Sequence, residues 1–179
     1  MTTFEVTILG SSSATPTSTR NPSAQVLNIR EHLFLIDCGE GAQMQMRKYK
    51  ISMQLINNIF ISHLHGDHYL GLVGLLGTLH LLGRTKDMHI YSPKGLKEIV
   101  ELQHHYSETY LNFQLIFNEL NTTISETIYE DDTVIIETIP LDHRIPCAGF
   151  LFTEMPMERN VRKEKLAEYK IHFSEIPGI

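Results

Sequence analysis

The chain has 179 residues, a formal net charge of −6, 42% hydrophobic residues and 20% charged residues. This length can bury a sizeable core in one domain or two small ones, and the composition is that of an ordinary globular protein. No apolar run reaches about 18 residues, which argues against a membrane span. The pI near 5.9 argues against a generally basic nucleic-acid binder.

The two cysteines and the N-terminus bear on the cellular compartment. Cys38 and Cys147 are too few for a disulfide framework and sit in apolar stretches, which is typical of reduced core thiols. Residues 1–6 lack a basic segment followed by an apolar one, so no secretory signal is visible. The sequence therefore predicts a cytoplasmic location.

Alternating and continuous apolar stretches predict the strands in chain order. After the first strand, residues 10–22 form a loop rich in Ser, Thr, Pro and Asn, whose size suits a site more than a simple connection. The predicted strands cover residues 4–9, 23–29, 32–37, 57–61, 88–91, 113–117, 133–140 and 149–153, with a weaker one at 123–129. Several strands in antiparallel order, with helices on a face, predict an α/β sandwich rather than a doubly wound sheet.

Helical stretches are predicted between these strands. A glycine-rich start precedes a helix that ends near residue 48, in which Met44 and Met46 are expected to pack in the core. A second helix runs to about Leu82, and Pro93 is expected in the first turn of a third. Residues 161–169 predict a short charged helix.

One short segment carries most of the chemistry. Three histidines and an aspartate fall within six residues, at His63, His65, Asp67 and His68. His63 and His65 share one face of an extended strand end, whereas Asp67 and His68 begin a helix. Imidazole nitrogen and carboxylate oxygen are ligands that suit zinc and its first-row neighbours. The pattern predicts a hydrolase site with two metals roughly 3.5–4 Å apart, in preference to a chance histidine-rich turn.

Other polar residues are assigned by their positions. His143 directly follows the end of a predicted strand, which makes it a further candidate ligand. Asp67 is a candidate both for metal coordination and for the general base that takes a proton from metal-bound water. Asp37 is a candidate for orienting a ligand histidine. The remaining singled-out histidines are interpreted as structural or surface residues: His80, His104, His105 and His172.

The motif His63-x-His65-x-Asp67-His68 resembles the defining motif of the metallo-β-lactamase superfamily. Three more stretches resemble ribonuclease Z, the endonuclease that matures the 3′ end of transfer RNA. Residues 10–24 are similar to its N-terminal loop, residues 34–43 to its "FDCGEGTQ" stretch, and residues 140–150 to the segment with its third metal-binding motif. These matches are collinear from residue 6 to about residue 152.

The resemblance implies a metallo-β-lactamase-like αββα fold, largely its N-terminal part, over residues 1–153, with the start of an arm or linker at 154–179. It implies that His63, His65 and His143 hold one zinc, that Asp67 and His68 hold the other, and that Mn²⁺ or Mg²⁺ are possible replacements. It further implies that Asp67 helps to activate the hydroxide that attacks the phosphodiester of a precursor tRNA. A homodimer is implied as well.

Two features of the family find no counterpart here: a downstream aspartate that bridges both metals and a histidine near the C-terminus. We therefore expect a C-terminally truncated chain with sub-stoichiometric metal and little or no nuclease activity. RNA contacts are expected at Arg20 and, where the family has a basic arm, at Arg159, Arg162 and Lys163. Two alternatives stay open: another hydrolase of this scaffold acting on a thioester, sulfate ester or cyclic phosphodiester, and a non-catalytic metal-binding fragment.

Overall fold

The computed structural model describes residues 3–156, 163–170 and 172. The strands in these residues are β1 Phe4–Gly10, β2 Ala24–Ile29, β3 His32–Ile36, β4 Ile56–Phe60, β5 Met88–Ser92, β6 Leu115–Glu119, β7 Thr127–Glu130, β8 Val134–Pro140 and β9 Ala148–Glu154. The helices are α1 Ala42–Lys48, α2 Gly66–Tyr69, α3 Leu72–Leu81, α4 Leu96–Tyr106 and α5 Lys163–Tyr169. None of these helices is long and apolar enough to cross a membrane.

The larger sheet contains six strands, β1 to β6, side by side in chain order. β1 and β2 pair in antiparallel fashion across the long loop of residues 11–23, and β2 and β3 form the predicted hairpin with Arg30 and Glu31 at its turn. The pairs β3–β4, β4–β5 and β5–β6 are parallel, so the expected antiparallel order is wrong for this half. Each of these three connections contains at least one helix that crosses back over the sheet, and this is the connection that parallel strands require.

The remaining strands, β7 to β9, form a second, antiparallel sheet that packs on one face of the first. Phe34 and Phe60 of the large sheet contact Phe152 of β9, with ring centroids 5.7 and 5.6 Å apart. On the opposite face, helices α1, α3 and α4 bury apolar side chains such as Met46, Leu76 and Val100. The chain is thus a mixed α/β sandwich of helices, large sheet and small sheet, which confirms the predicted fold class.

Three local differences have simple physical causes. Met44 is 69% exposed whereas Met46 is fully buried, because residues two apart on a helix point in different directions. Helix α4 begins at Leu96 instead of including Pro93, since Gly95 adopts a left-handed backbone with φ 107°. The helix expected after residue 68 is divided into α2 and α3, and between them Gly71 packs so tightly that a Cβ would lie 2.2 Å from the carbonyl oxygen of Gly39.

Candidate metal centre

The predicted ligands lie at one edge of the large sheet, where neighbouring parallel strands end. β3 ends just before Asp37 and β4 just before the segment that contains His63. The backbone N–H of Asp37 donates to the carbonyl of Phe60 over 2.7 Å, and that of Ala148 donates to the carbonyl of Ser62 over 3.0 Å. These bonds join β3, β4 and the start of β9 at this edge. Because the carboxyl ends of parallel strands meet there, residues distant in sequence reach one place.

His63, His65 and His143 form a three-histidine cluster. Nε2 of His63 lies 3.0 Å from Nδ1 of His65, and Nε2 of His143 lies 3.3 Å from the same atom. One ring nitrogen from each residue falls within 4.8 Å of the other two. His63 is buried, His65 is half-buried and His143 is exposed, so the cluster opens to solvent on the side of His143.

The donor set fits a zinc-type ion. Zinc binds imidazole nitrogen at about 2.0–2.1 Å, so two nitrogens in a tetrahedral site lie roughly 3.3 Å apart, which is close to the distances within the three-histidine cluster. Burial, followed by the neighbouring imidazoles of His68, His143 and His65, lowers the pKa of His63 to about 4. A neutral imidazole at pH 7 can donate its lone pair to a metal without first losing a proton.

Asp37 organises the base of the cluster. This carboxylate is only 4% exposed, and its Oδ1 accepts hydrogen bonds from the backbone N–H and the hydroxyl of Ser62, both over 2.9 Å. Its Oδ2 lies 2.9 Å from Oγ of Ser23 and 2.6 Å from Nδ1 of His68. With Nδ1–H of His68 donating to Asp37, Nε2 of His68 keeps a free lone pair that could bind a metal. The predicted orienting contact of Asp37 is therefore present in the structure.

The environment of His68 shows the strength of this contact. Burial lowers the pKa of His68, but the hydrogen bond to Asp37 and the charges of Asp37 and Asp67 outweigh it, so the net pKa is raised above its usual value. Oδ2 of Asp67 lies 3.4 Å from Nε2 of His68. The two residues thus form a pair beside the three-histidine cluster. Among the described residues, only the three histidines gather as three potential ligands.

Two side chains that the sequence did not single out also contact the cluster. Oγ of Ser62 lies 3.1 Å from Nδ1 of His63, and with its hydroxyl donating to Asp37 it can accept that N–H. Nη2 of Arg144 lies 3.2 Å from Nε2 of His65, which places a guanidinium at the exposed rim. Each of the two residues directly adjoins a predicted ligand in the sequence, and this adjacency is the one feature that could have identified them.

A cleft of about 510 Å³ adjoins the cluster and is open between the two sheets. Asp37, His63 and His68 line its polar end, whereas apolar side chains of β1, β2 and β9 line the rest. The nearby Cys38 is fully buried, and burial together with the charge of Asp37 raises the pKa of its thiol to about 12. Cys38 is therefore a core thiol and not a ready metal ligand.

The expected RNA contacts lie apart from the cluster or outside the described residues. Arg20 is exposed and lines a separate cavity with Lys48, to which no residue of the three-histidine cluster contributes. Arg159 and Arg162 lie outside the described residues, and of Lys163 only its place at the start of α5 is described. His172 is exposed and does not belong to the cluster.

Comparisons with known proteins show which families this chain resembles. The family model described as anti-Pycsar protein Apyc1 matches residues 4–155. A curated ribonuclease Z of Bacteroides fragilis is 47% identical over 179 residues, which are 100% of this chain and 59% of that protein. The chain thus spans less than two thirds of the length of this relative.

Solved structures give the same fold. The short form of human tRNase Z is 35% identical with a TM-score of 0.76, and the match covers 83% of this chain and 64% of that one. The metallo-β-lactamase-fold protein YhfI of Bacillus subtilis is 18% identical with a TM-score of 0.64, covering 83% of this chain and 58% of that one. The second likeness concerns the fold alone, and it confirms the metallo-β-lactamase-like architecture.

Proposed function

Because this chain belongs to the ribonuclease Z family and also fits the family described as anti-Pycsar protein Apyc1, we propose that it supplies the metal-binding part of a hydrolytic endoribonuclease that acts on precursor tRNA. The observation that carries the proposal is the convergence of His63, His65 and His143 at one sheet edge, beside His68 held by Asp37. A structural role does not require three imidazole nitrogens to face one another.

Each residue has a role that its contacts support. His63, His65 and His143 would hold one divalent metal, and Asp67 with His68 would contribute to a second. A metal bound there supplies positive charge beside a phosphodiester and lowers the pKa of a water molecule. Asp37 keeps the proton of His68 on Nδ1, which leaves Nε2 free on the side of Asp67. Asp67 accepts a proton at Oδ2 from the attacking water, as its place beside the cluster allows.

The ligand count suggests how this chain behaves by itself. The first metal would have three protein ligands, the number that catalytic zinc sites commonly use, whereas the pair Asp67 and His68 offers only two side chains. We therefore propose one firmly held zinc per chain, with Mn²⁺ or Mg²⁺ as weaker replacements. Strong nuclease activity would need further ligands for the second metal.

The experiment uses the chain and a fusion in which it is followed by the remaining C-terminal sequence of the Bacteroides fragilis relative. Both are loaded with zinc and mixed with a tRNA that carries a 3′ trailer. We expect the fusion to release the trailer, the same fusion with His63→Ala to be inactive, and the chain alone to be much slower than the fusion. A zinc-loaded, folded fusion that leaves the trailer uncut would contradict the proposal.

A different hydrolase on the same scaffold is the second candidate, and the match to the Apyc1 family model favours keeping it. A competition of precursor tRNA against a small bis-phenyl phosphate and a thioester separates the two. Preference for the RNA by the fusion supports the ribonuclease, whereas preference for a small ester supports the alternative. The homodimer, the cytoplasmic location and the RNA contacts at Arg20, Arg159, Arg162 and Lys163 remain part of the proposal.

A further inference from the structure

A second cavity, of about 590 Å³, lies at the end of the large sheet opposite to the histidines. It is bounded by the start of β3, the amino ends of β4 and β5, and Tyr129 of β7 in the small sheet. Exposed Leu55 and Lys86 are among its lining residues, so the cavity opens to solvent there. No residue of the three-histidine cluster lines it. Its volume is in the range of cavities that hold small ligands.

Polar groups without protein partners line this cavity. Asn58 is 8% exposed and Tyr91 is 6% exposed. Within the part of the chain that the structure describes, neither the amide of Asn58 nor the hydroxyl of Tyr91 has a hydrogen-bond partner, and the imidazole of His89 has none either. Among the described residues, Nε2 of His104 is the one fully buried side-chain nitrogen or oxygen atom without a partner, so the polar atoms of Asn58, Tyr91 and half-buried His89 face the cavity space, where a bound ligand can pair them.

The cavity wall also has aromatic surface in fixed positions. The rings of Phe34 and Tyr129 meet edge to face with centroids 5.8 Å apart, and the hydroxyl of Tyr129 donates to Asp131 over 2.7 Å. The ring of Tyr91 stacks on Phe60, with centroids 4.6 Å apart and an interplanar angle of 11°. These contacts fix the aromatic surface before any ligand binds. A planar ring is the shape that such a wall accepts best.

The charges around the cavity disfavour an anionic ligand. Its lining contains Lys86 but also two carboxylates, Glu31 and Asp87. Asp131 lies close by, since its Oδ2 is 3.4 Å from Nδ1 of the lining residue His32. Carboxylates in excess over ammonium groups repel a phosphate, so we expect a neutral ligand to bind better than its phosphorylated form.

We propose that this cavity is a binding site for a neutral, planar heteroaromatic ligand of the nucleobase or nucleoside class. The amide of Asn58 offers a donor and an acceptor to the edge of the ring, as such a base presents both. The hydroxyl of Tyr91 and the imidazole of His89 pair with further polar atoms of the ligand. The half-buried ring of Tyr129 contacts it, and the fully buried Phe34 supports that ring from behind. The site is separate from the histidine cluster and does not depend on the proposed nuclease activity.

The test is a calorimetric titration of the full chain with adenosine, guanosine, cytidine and uridine, each beside its 5′-monophosphate. Amide NMR spectra of the same samples locate the binding. We expect at least one nucleoside to bind and to shift the signals of Asn58 and His89, with its monophosphate weaker. Absence of binding by all four nucleosides at millimolar concentration overturns the proposal, as does equal or tighter binding of the monophosphate.

Variants locate the site and separate it from the metal centre. Asn58→Leu and Tyr91→Phe each remove one polar partner and should weaken nucleoside binding about tenfold, the value of one good hydrogen bond. Tyr91→Phe keeps the stack on Phe60, so it still tests whether the cavity binds the nucleoside if Asn58→Leu fails to fold. His143→Ala should bind the nucleoside as the parent chain does. Unchanged affinity in Tyr91→Phe, or lost affinity in His143→Ala, contradicts the proposed site.

Discussion

Nδ1 of His68 lies 2.6 Å from Oδ2 of Asp37, although the two residues are 31 positions apart in the sequence. The contact exists because β3 and β4 are parallel neighbours, so the residue after one strand reaches the segment after the other. It sets which nitrogen of His68 carries the proton and therefore which one faces Asp67. The fold thus sets the orientation and the protonation of His68 through a buried carboxylate that is itself not a proposed ligand.

The first prediction concerns this carboxylate. Asp37→Ala leaves the hydroxyl and N–H of Ser62 and the Nδ1–H of His68 without their acceptor, so we expect a loss of about 2–4 kcal/mol in the free energy of unfolding. Asp37→Asn keeps the shape and should lose less, but the pKa of His68 should fall because the negative charge is gone. Urea unfolding and an NMR titration of His68 measure the two effects in the metal-free chain.

Asp142→Asn is the matched control, since Asp142 is an exposed carboxylate beside His143. It should change the unfolding free energy by less than about 0.5 kcal/mol. Equal effects of Asp37→Asn and Asp142→Asn on the pKa of His68 would show that the contact does not set the protonation of His68.

The second prediction concerns metal stoichiometry. Because only the three histidines gather as a set of three potential ligands in the described residues, we expect the chain to bind close to one zinc in elemental analysis. His143→Ala should lower zinc affinity by roughly 100-fold or more, since losing a ligand costs more than losing an orienting partner. His105→Ala, which removes an exposed histidine of α4, should bind zinc as the parent does. Two tightly bound zincs per chain would contradict this prediction.

Site residues could be predicted from the sequence where they lie close together along the chain. Residues 63–68 are contiguous, so their spacing alone predicted that they act together, and His143 could be added because it follows a strand end. Ser62 and Arg144 were missed, since a serine or an arginine beside a ligand has no distinctive pattern. Their contacts depend on the packing of β3, β4 and β9 at one edge.

The limits of fold prediction have a related cause. Strand positions followed from apolar patterns, but the direction of β4, β5 and β6 depends on how each helix packs back on the sheet. A similar limit applies to α1, where Met46 is buried and Met44 is exposed, because residue type alone does not say which side of the helix faces the core. The cavity around Asn58 could not be predicted at all, since it arises between strands of different sheets.

The third prediction is a pH dependence at Asp131. Burial raises the pKa of this carboxyl, but hydrogen bonds from Thr133, Tyr129 and Val134 outweigh burial and lower the pKa from 3.8 to about 2. A lowered native pKa stabilises the fold above pH 4, and this contribution disappears as the pH falls from about 4 to about 2. Asp131→Asn should therefore lower the free energy of unfolding by about 2 kcal/mol at pH 7.

Urea unfolding of Asp131→Asn and the parent chain at several pH values measures this difference. The difference should shrink as the pH falls below 4. Asp132→Asn alters the exposed neighbour and serves as the control. A difference between Asp131→Asn and the parent that stays constant from pH 7 to pH 3 would exclude the ionised form of Asp131 as its source.

The fourth prediction concerns Arg84, which is only 3% exposed. Its guanidinium donates to four backbone carbonyls and to Oδ1 of Asn57, and it lies 5.4 Å from the ring centre of Phe113. A lysine offers fewer donors in a different geometry, so Arg84→Lys should lose roughly 2–3 kcal/mol of unfolding free energy. Arg47→Lys, on the exposed side of α1, should be neutral in the same urea titration. Equal unfolding free energies of Arg84→Lys and the parent would show that the planar guanidinium of Arg84 is not needed for stability.

The last prediction concerns Arg144 at the rim of the three-histidine cluster. Its Nη2 lies 3.2 Å from Nε2 of His65, and the side chain is exposed, so the guanidinium can turn toward a phosphate beside the histidines. In the zinc-loaded chain, Arg144→Ala should weaken the binding of inorganic phosphate about tenfold, with zinc affinity equal to or tighter than in the parent because a positive charge is removed. Calorimetric titrations with zinc and then phosphate measure both affinities. Arg20→Ala is the control, because Arg20 lines a different cavity and should leave the phosphate affinity unchanged. Weaker zinc binding by Arg144→Ala would instead mean that the arginine holds His65 in place. An equal loss of phosphate affinity in Arg144→Ala and Arg20→Ala would mean that Arg144 does not bind phosphate specifically beside the cluster.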